Sequence, residues 1–329
     1  MILSVIIPLF NSEEFIGDTL NSLYRQGLAI SDFEIIVIND GSTDSSIDIV
    51  ERFIKRYANI KLFSQPNSGV SSARNRGLEM SRGKYVHFLD SDDMMEDNSY
   101  SMLSKLCTSS PEIIKFDSYS LLHGQKHERN KSDSIHEVFS GNTKDYVRRF
   151  GFPVSSVFYW FKRELLMNHH FHFDDFKLGE DGYFCMNVLQ YSNCNIIACD
   201  NKFYIYIQHK NSAVHNNNKA HLKDVIEGAF DLIQKINGLS KECIFPYKCY
   251  EPYLNSLSEV IATHLLRGNF DYEYEKEIFN RMWKNSLLPL KRKSVATCLL
   301  NIIFSNEMLI RTVSFIHRNL YFRYFKHCN

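Results

Sequence analysis

Apolar and polar positions alternate between two patterns along the first hundred residues. Four short, nearly continuous apolar runs have the length and β-branched content of buried strands: "LSVIIPLF" (3–10), "FEIIVIND" (33–40), "IKLFSQ" (60–65) and "KYVHFLD" (84–90). The stretch "SEEFIGDTLNSLYRQ" (12–26) instead places Phe15, Ile16, Leu20, Leu23 and Tyr24 on one helical stripe, with Ser12 as the expected cap and acids in the first turn. Residues 45–57 predict a second helix, and "SGVSSARNRGLEMSRG" (68–83) a loop and a third. Strands that alternate with helices and stay apolar throughout predict an α/β fold, a mostly parallel sheet flanked by helices. Ligands bind beyond the carboxyl ends of such strands. Asp40 and Asp90 stand at those ends.

The second hundred residues are less regular. "FYWFKRELLMNHHFHFDDFKLGEDGYFCMNVLQ" (158–190) predicts a helix, a polar turn and a helix starting near Glu180, and "NKFYIYIQH" (201–209) predicts a strand. From about 216 the pattern is mostly helical, with Val295, Leu299, Ile302, Ile303, Leu309, Ile310, Val313, Ile316 and Leu320 at helical spacing. There is no internal repeat and no low-complexity linker.

Charge changes this picture at one end only. Lys+Arg and Asp+Glu balance at 38 each, which gives no global signal for nucleic acid. Residues 281–329, however, hold nine bases against one acid, Glu307, while residues 1–280 hold 29 against 37. A basic end on an acidic body points to a partner. The eight cysteines form no CxxC pair, so zinc is not expected, and free thiols fit a cytoplasmic chain. "MILSVIIPLF" lacks a charged leader segment and contains Pro8, so it reads as a strand rather than a signal peptide. No apolar stretch nears the roughly 18 residues of a spanning helix.

The candidate chemistry begins with "FLDSDD" (88–93). Three carboxylates, Asp90, Asp92 and Asp93, follow a buried strand, where they repel one another unless a cation is present. Hard divalent ions suit such a set, with substrate phosphates completing the shell. The alternative is a loop in which Asp92 or Asp93 caps the next helix.

Five segments, "VIIPLFNSEEFI", "EIIVINDGSTDSS", "NSGVSSARNRGL", "GKYVHFLDSDD" and "GEDGYF", occur in this order. Together they resemble the inverting nucleotide-sugar glycosyltransferases of family 2, bacterial surface-polysaccharide type. The resemblance covers roughly residues 1–215 and implies a GT-A fold, Rossmann-like, with a nucleotide-sugar-binding half (1–100) and an acceptor half (101–215). A mainly helical C-terminal extension (216–329), basic from 281, would follow.

By that resemblance Asp40 recognises the donor base, where a carboxylate can accept the imide N–H of uracil. Pro8 and Phe10 line the same pocket, with Asn67, Gly69 and Arg74 beside the nucleotide. Asp90 and Ser91 meet the donor, and Asp92, with Asp90, holds Mn²⁺ or Mg²⁺ against the diphosphate. His209 and His215 are candidates for a further ligand or a diphosphate contact. Asp181 is the base that deprotonates the acceptor hydroxyl, and Glu180 positions it; the competing view is two acids favoured by a helix N-terminus. His169, His170 and His172 resemble a metal cluster in composition, but they fall between the motifs and read as acceptor-side or solvent-facing.

The implied partners are a nucleotide-sugar donor, probed first as UDP-linked, and a glycan or lipid-linked glycan acceptor of capsule or O-antigen type, with no nucleic acid. "KRK" (291–293) before an apolar stripe and "RNLYFRYFKH" (318–327) fit either internal packing or docking on an anionic membrane, the inner face of the cytoplasmic membrane. A dehydrogenase lacks its GxGxxG here. A nucleotidyltransferase, or a non-catalytic nucleotide-sugar-binding paralogue, stands as the alternative. The acidic "PLFNSEEF" fits poorly with holding a triphosphate, and the filled carboxylate positions fit poorly with an inactive chain.

Overall fold

The computed structural model describes residues 1–123, 134–153, 155–191, 194–209, 218–242, 245, 249–268 and 270–285. The expected boundary at 215 and the basic tail at 291–329 lie outside these residues. The chain divides into two compact units, one of Met1–Asp175 with Glu180–Lys210, the other of Phe176–Gly179 with Asn211–Asn329.

The first unit opens with the predicted alternation: β1 (Leu3–Leu9), α1 (Ile16–Leu23), β2 (Phe33–Asn39), α2 (Ser46–Arg56), β3 (Ile60–Ser64), α3 (Val70–Met80) and β4 (Tyr85–Phe88). Then come β5 (Met94–Met95), α4 (Ser99–Leu106), β6 (Ile113–Leu122), β7 (Glu137–Asn142), α5 (Thr143–Phe150), β8 (Tyr159–Lys162), α6 (Arg163–Asn168), α7 (Glu180–Gln190) and β9 (Asn195–Gln208). The sheet order is β3-β2-β1-β4-β8-β6-β9-β5, with β7 paired to β9. β1 runs parallel to β2 and β4, and β2 parallel to β3. β8 is antiparallel to both β4 and β6, so the parallel half passes into a mixed half. This is a GT-A arrangement.

Every residue of β1 and of β2 is buried, which is why both read as nearly continuous apolar runs. Each large aliphatic side chain removed from water there contributes roughly 1.5–3 kcal/mol. α3 lies against β1 so closely that a Cβ on Gly77 would stand 2.2 Å from Ile6 Cγ2. Only glycine fits that contact. Pro8 is tolerated inside the central strand because pairing with β4 ends at Ile6↔Phe88, leaving no ladder bond there for its missing N–H.

The sequence placed Ser12 at the cap of α1, but that helix starts four residues later and has no side-chain cap. The Ser12 carbonyl accepts from Phe15 and Ile16 N–H, and its hydroxyl turns to Ser91. Nor does Asp92 or Asp93 cap a helix; the residue before α4 is Asn98. The strands β5 to β8 were not anticipated; Tyr159–Lys162, in a segment expected to hold only helix and turn, is a strand, and the helix starts at Arg163. β6 is buried mainly in its first half, so it lacks both continuous apolarity and clean alternation.

The second unit is helical in its described part, with α8 (Lys219–Glu242), α9 (Glu251–Arg267) and α10 (Tyr272–Lys284). Leu222, Ile226, Phe230 and Ile233 of α8 and Leu254, Leu257 and Ile261 of α9 are buried. Arg281 of α10 lies 4.0 Å from the Phe230 ring centroid and bonds both oxygens of Glu227.

Candidate active site

The loops after β1 and β2 hold each other. Asn11 N–H donates to Ser42 Oγ, and Asn11 Oδ1 accepts from Thr43 N–H. Glu13 N–H donates to Asp44 Oδ2, and Ser45 N–H to Glu13 Oε2. The polar residues of "FNSEE" and "DGSTDSS" therefore lock two loops at the carboxyl edge of the sheet. Asp40 fixes a third. Its Oδ1 accepts from Gln65 Nε2 at 2.9 Å and Ser68 N–H at 2.8 Å, and its Oδ2 accepts from Gly69 N–H at 2.8 Å. Gly69 sits at φ 87°, a left-handed conformation that favours glycine. An ionised carboxylate has about four acceptor directions, so about one remains for a ligand.

The chain leaving β4 turns through Asp90, Ser91, Asp92 and Asp93. Asp90 accepts from Arg74 Nη2 at 2.9 Å. Ser91 is buried with its hydroxyl 2.7 Å from Ser12 Oγ and its carbonyl accepting from Thr19, so its carbonyl ties α1 to the turn and its side chain, bonded to Ser12, does not join the carboxylates. Asp92 is 36% exposed, and its Oδ2 lies 2.9 Å from His209 Nε2. Asp93 is buried and accepts from Ile207 N–H at 2.8 Å and from the Tyr204 hydroxyl. Asp93 thereby fastens the end of β9, which carries His209 to Asp92. The His209 ring also packs on Phe15, 4.3 Å between centroids. Burial, with Asp90 and Asp92 nearby, pushes Asp93 up to about 8.

Arg74, 3% exposed on α3, gathers three carboxylates. Nη2 donates to Asp90, Nη1 donates to Glu180 Oε1 at 2.9 Å, and Nη1 stands 2.8 Å from Asp181 Oδ1. Beneath it lies Phe173, 5.3 Å from the guanidinium to the ring centroid. Asn75, the neighbour in the "ARN" segment, pins that residue by accepting from Phe173 N–H and donating to its carbonyl, both at 2.8 Å. Asp181 receives two further donors, Ser156 Oγ on Oδ1 at 2.8 Å and Ser155 Oγ on Oδ2 at 2.9 Å.

One guanidinium does not neutralise three carboxylates. Burial works against the charge of Arg74, yet Asp181, Asp90 and Glu180 outweigh it and hold the group protonated. Burial lifts Asp90 to about 6 despite Arg74, with Asp181 and Asp92 adding to the rise. Burial and then Asp181 raise Glu180. This surplus of negative charge beside Asp92 and His209 favours a cation. Among the described residues no three His, Cys, Asp or Glu form a metal cage. A carboxylate and an imidazole do fit an ion that takes one or two protein ligands and completes its shell on substrate phosphates.

The sequence-predicted residues thus fall into groups. Asp90, Arg74, Glu180 and Asp181 meet in one network, and Asp92 meets His209. Pro8 is buried within β1, whereas Phe10 just beyond it is 48% exposed. Asn67 is exposed beside the Asp40-held loop. His215 lies outside the described residues. His169 packs on Tyr191 and His172 pairs with Asp174, so the three histidines share no centre. Sequence reasoning missed Ser155 and Ser156, which lie 26 and 25 residues from Asp181, and Phe173, which lies 98 from Asn75.

The profile of glycosyl transferase family 2 matches residues 4–168. The chain is 32% identical over 219 residues to the uncharacterized glycosyltransferase EpsJ of Bacillus subtilis, covering 64% of this chain and 62% of that protein. It is 30% identical over 216 residues to TarP, a poly(ribitol-phosphate) beta-N-acetylglucosaminyltransferase of Staphylococcus aureus, covering 64% of each. The chain thus spans less than two thirds of the length of these curated relatives. In fold it is similar to S. aureus TarS 1–349 in complex with UDP-GlcNAc, with TM-score 0.61, 20% identity, and 97% and 92% of the two chains covered.

Proposed function

The chain belongs to glycosyl transferase family 2, and from that premise we propose that it moves one sugar, with inversion, from a UDP-sugar to a hydroxyl of a surface glycan or lipid-linked glycan. The observation that carries this reading is the Arg74 network. It joins Asp90, at the end of a sheet strand, to Glu180 and Asp181, 106 residues beyond Arg74 in the case of Glu180. A donor-side carboxylate and a candidate acid–base pair therefore share one cation.

In this reading Asp40 accepts from the base of the nucleotide through its remaining acceptor direction, with Phe10 and Asn67 flanking it. Asp92 and His209 would hold Mn²⁺ or Mg²⁺, which when bound would supply positive charge against the diphosphate. Asp181 takes the proton of the acceptor hydroxyl as that oxygen attacks the anomeric carbon from the face opposite UDP. A positioned base contributes typically 10²–10⁴ in rate. Glu180, its carboxyl raised, holds the acceptor or Asp181 in place. Family membership supports glycosyl transfer, and the name of TarP, a poly(ribitol-phosphate) beta-N-acetylglucosaminyltransferase, supports a hydroxyl of a polymer as the acceptor. No helix among the described residues is long and apolar enough to cross a membrane. Docking through the basic tail is part of the proposal and rests on sequence alone.

The test is calorimetric titration with UDP, and with GDP, CDP and NAD⁺ as controls, in Mn²⁺ and in EDTA, followed by a screen of UDP-sugars for UDP release. Metal-dependent binding selective for UDP is the expected result. Metal-independent binding, or preference for another nucleotide, overturns the roles of Asp40 and Asp92.

A further inference from the structure

Of the three carboxylates on Arg74, Asp181 alone carries hydroxyl donors among the described contacts, one on each oxygen. Oδ1 has two neighbours, Ser156 Oγ and Arg74 Nη1, and Oδ2 has one, Ser155 Oγ. With about four acceptor directions on a carboxylate, the one left open is on Oδ2. Such an arrangement fixes the rotation of the carboxylate about its Cβ–Cγ bond and leaves a single acceptor direction with no partner among the described contacts.

The serines lie in the segment between α5 and β8, and that segment is held from behind. His87 Nε2 is 2.8 Å from the carbonyl oxygen of Val157, the residue after Ser156. A carbonyl only accepts, so Nε2 carries the proton. Burial pushes His87 down to about 4, so the ring is neutral at pH 7 and Nδ1 is an acceptor. It accepts from the Tyr100 hydroxyl at 2.8 Å. The next residue is fixed too, since the Phe158 carbonyl accepts from Phe116 N–H at 3.0 Å. His87 belongs to β4, the strand that leads to Asp90. One strand thus anchors both the donor-side carboxylate and the peptide that grips Asp181.

We propose that Ser155 and Ser156 are positioning residues for Asp181, a two-hydroxyl clamp that presents the free lone pair of Oδ2 to the incoming acceptor hydroxyl. The clamp rests on the reading of Asp181 as base. The gain is geometric: a proton acceptor held in line with the reacting oxygen. Ser156 is fully buried and Ser155 partly exposed, so the clamp is built from inside the fold and reaches the site from one side.

The experiment compares Ser155→Ala, Ser156→Ala, Ser155→Thr and Asp181→Asn in the full chain. It follows UDP release with Mn²⁺, water as acceptor and the UDP-sugar chosen by the screen above, with Tm recorded for each variant. Each alanine variant is expected to lower kcat roughly ten-fold while KM for the donor stays within about two-fold. Ser155→Thr, which keeps the hydroxyl, is expected to stay within about three-fold of the parent. Unchanged kcat in both alanine variants alongside an inactive Asp181→Asn overturns the clamp and leaves the base standing. Full turnover in Asp181→Asn overturns both, the base first. A rise in KM without loss of kcat also overturns the clamp. If Ser156→Ala unfolds, the partly exposed Ser155 decides the matter through its alanine and threonine variants.

Discussion

Replacing Arg74 with methionine removes a buried cation and keeps most of the side-chain volume. Three carboxylates lose their partner at once: Asp90, Glu180 and Asp181. Breaking a buried ion pair by deleting one member costs about 3–5 kcal/mol. Asp90 is 33% exposed and its neighbours are less so, and water screens part of that loss, which places the expected cost near the lower end, about 3 kcal/mol at pH 8. For a unit of this size that corresponds to a fall in Tm of roughly 6–12 °C. The pH dependence has a definite sign. Asp90 and Glu180 are already raised in the folded protein, and Arg74 is the group that pulls both down. Without it they rise further, so the folded variant binds more protons than the unfolded chain between the ordinary carboxylate range and the raised values. Stability then falls as pH rises through that window and returns as pH falls. Scanning calorimetry of Arg74→Met and the parent at pH 5.5 and pH 8, in EDTA, measures this. A Tm within 2 °C of the parent at pH 8, or a deficit that widens on acidification, would refute the view of Arg74 as the counter-ion of three partly buried carboxylates.

Other outcomes follow from the same geometry. Asp92→Ala and His209→Ala are each expected to weaken UDP binding in Mn²⁺ at least about ten-fold and to leave binding in EDTA unaltered; calorimetry with equal affinities in Mn²⁺ would remove the pair from the metal role. Asp93, held near 8 by burial, makes the folded protein bind an extra proton across neutral pH, so parental stability should decline as pH rises from 6 to 9. Asp93→Asn keeps an acceptor for Ile207 N–H and offers its amide to the Tyr204 hydroxyl, so its Tm should be flatter over that range; an unchanged slope assigns the effect elsewhere.

Much of the first unit could be read from local pattern. β1, β2 and β4 are buried on both faces, so their apolar runs were nearly continuous, and α1 to α3 fell between them at helical spacing. Asp40, Asp90 and the Glu180–Asp181 pair were visible because strand ends and helix starts are local features, and their order along the chain carried the family resemblance. β6 and β7 escaped notice because half-buried strands at the mixed side of the sheet have neither period cleanly. The Ser12 cap failed for a similar reason. Its hydroxyl had a better partner in Ser91, 79 residues away, and no local rule weighs such a competitor.

The sequence by itself determined the alternating strands and helices of the first ninety residues, and which carboxylates stand at the edge where ligands bind, since both depend on neighbours a few residues apart. Only the tertiary structure decided how those carboxylates differ. Asp93 ties down β9, Asp92 faces His209, Asp90 shares Arg74 with Glu180 and Asp181, and Asp181 alone of these three is gripped by two serines. Each distinction is a hydrogen bond or ion pair between residues far apart in the chain, with 117 residues separating Asp92 from His209. Charge and burial at a side chain are set by whatever the fold brings against it, and that follows from the packing of whole strands and helices.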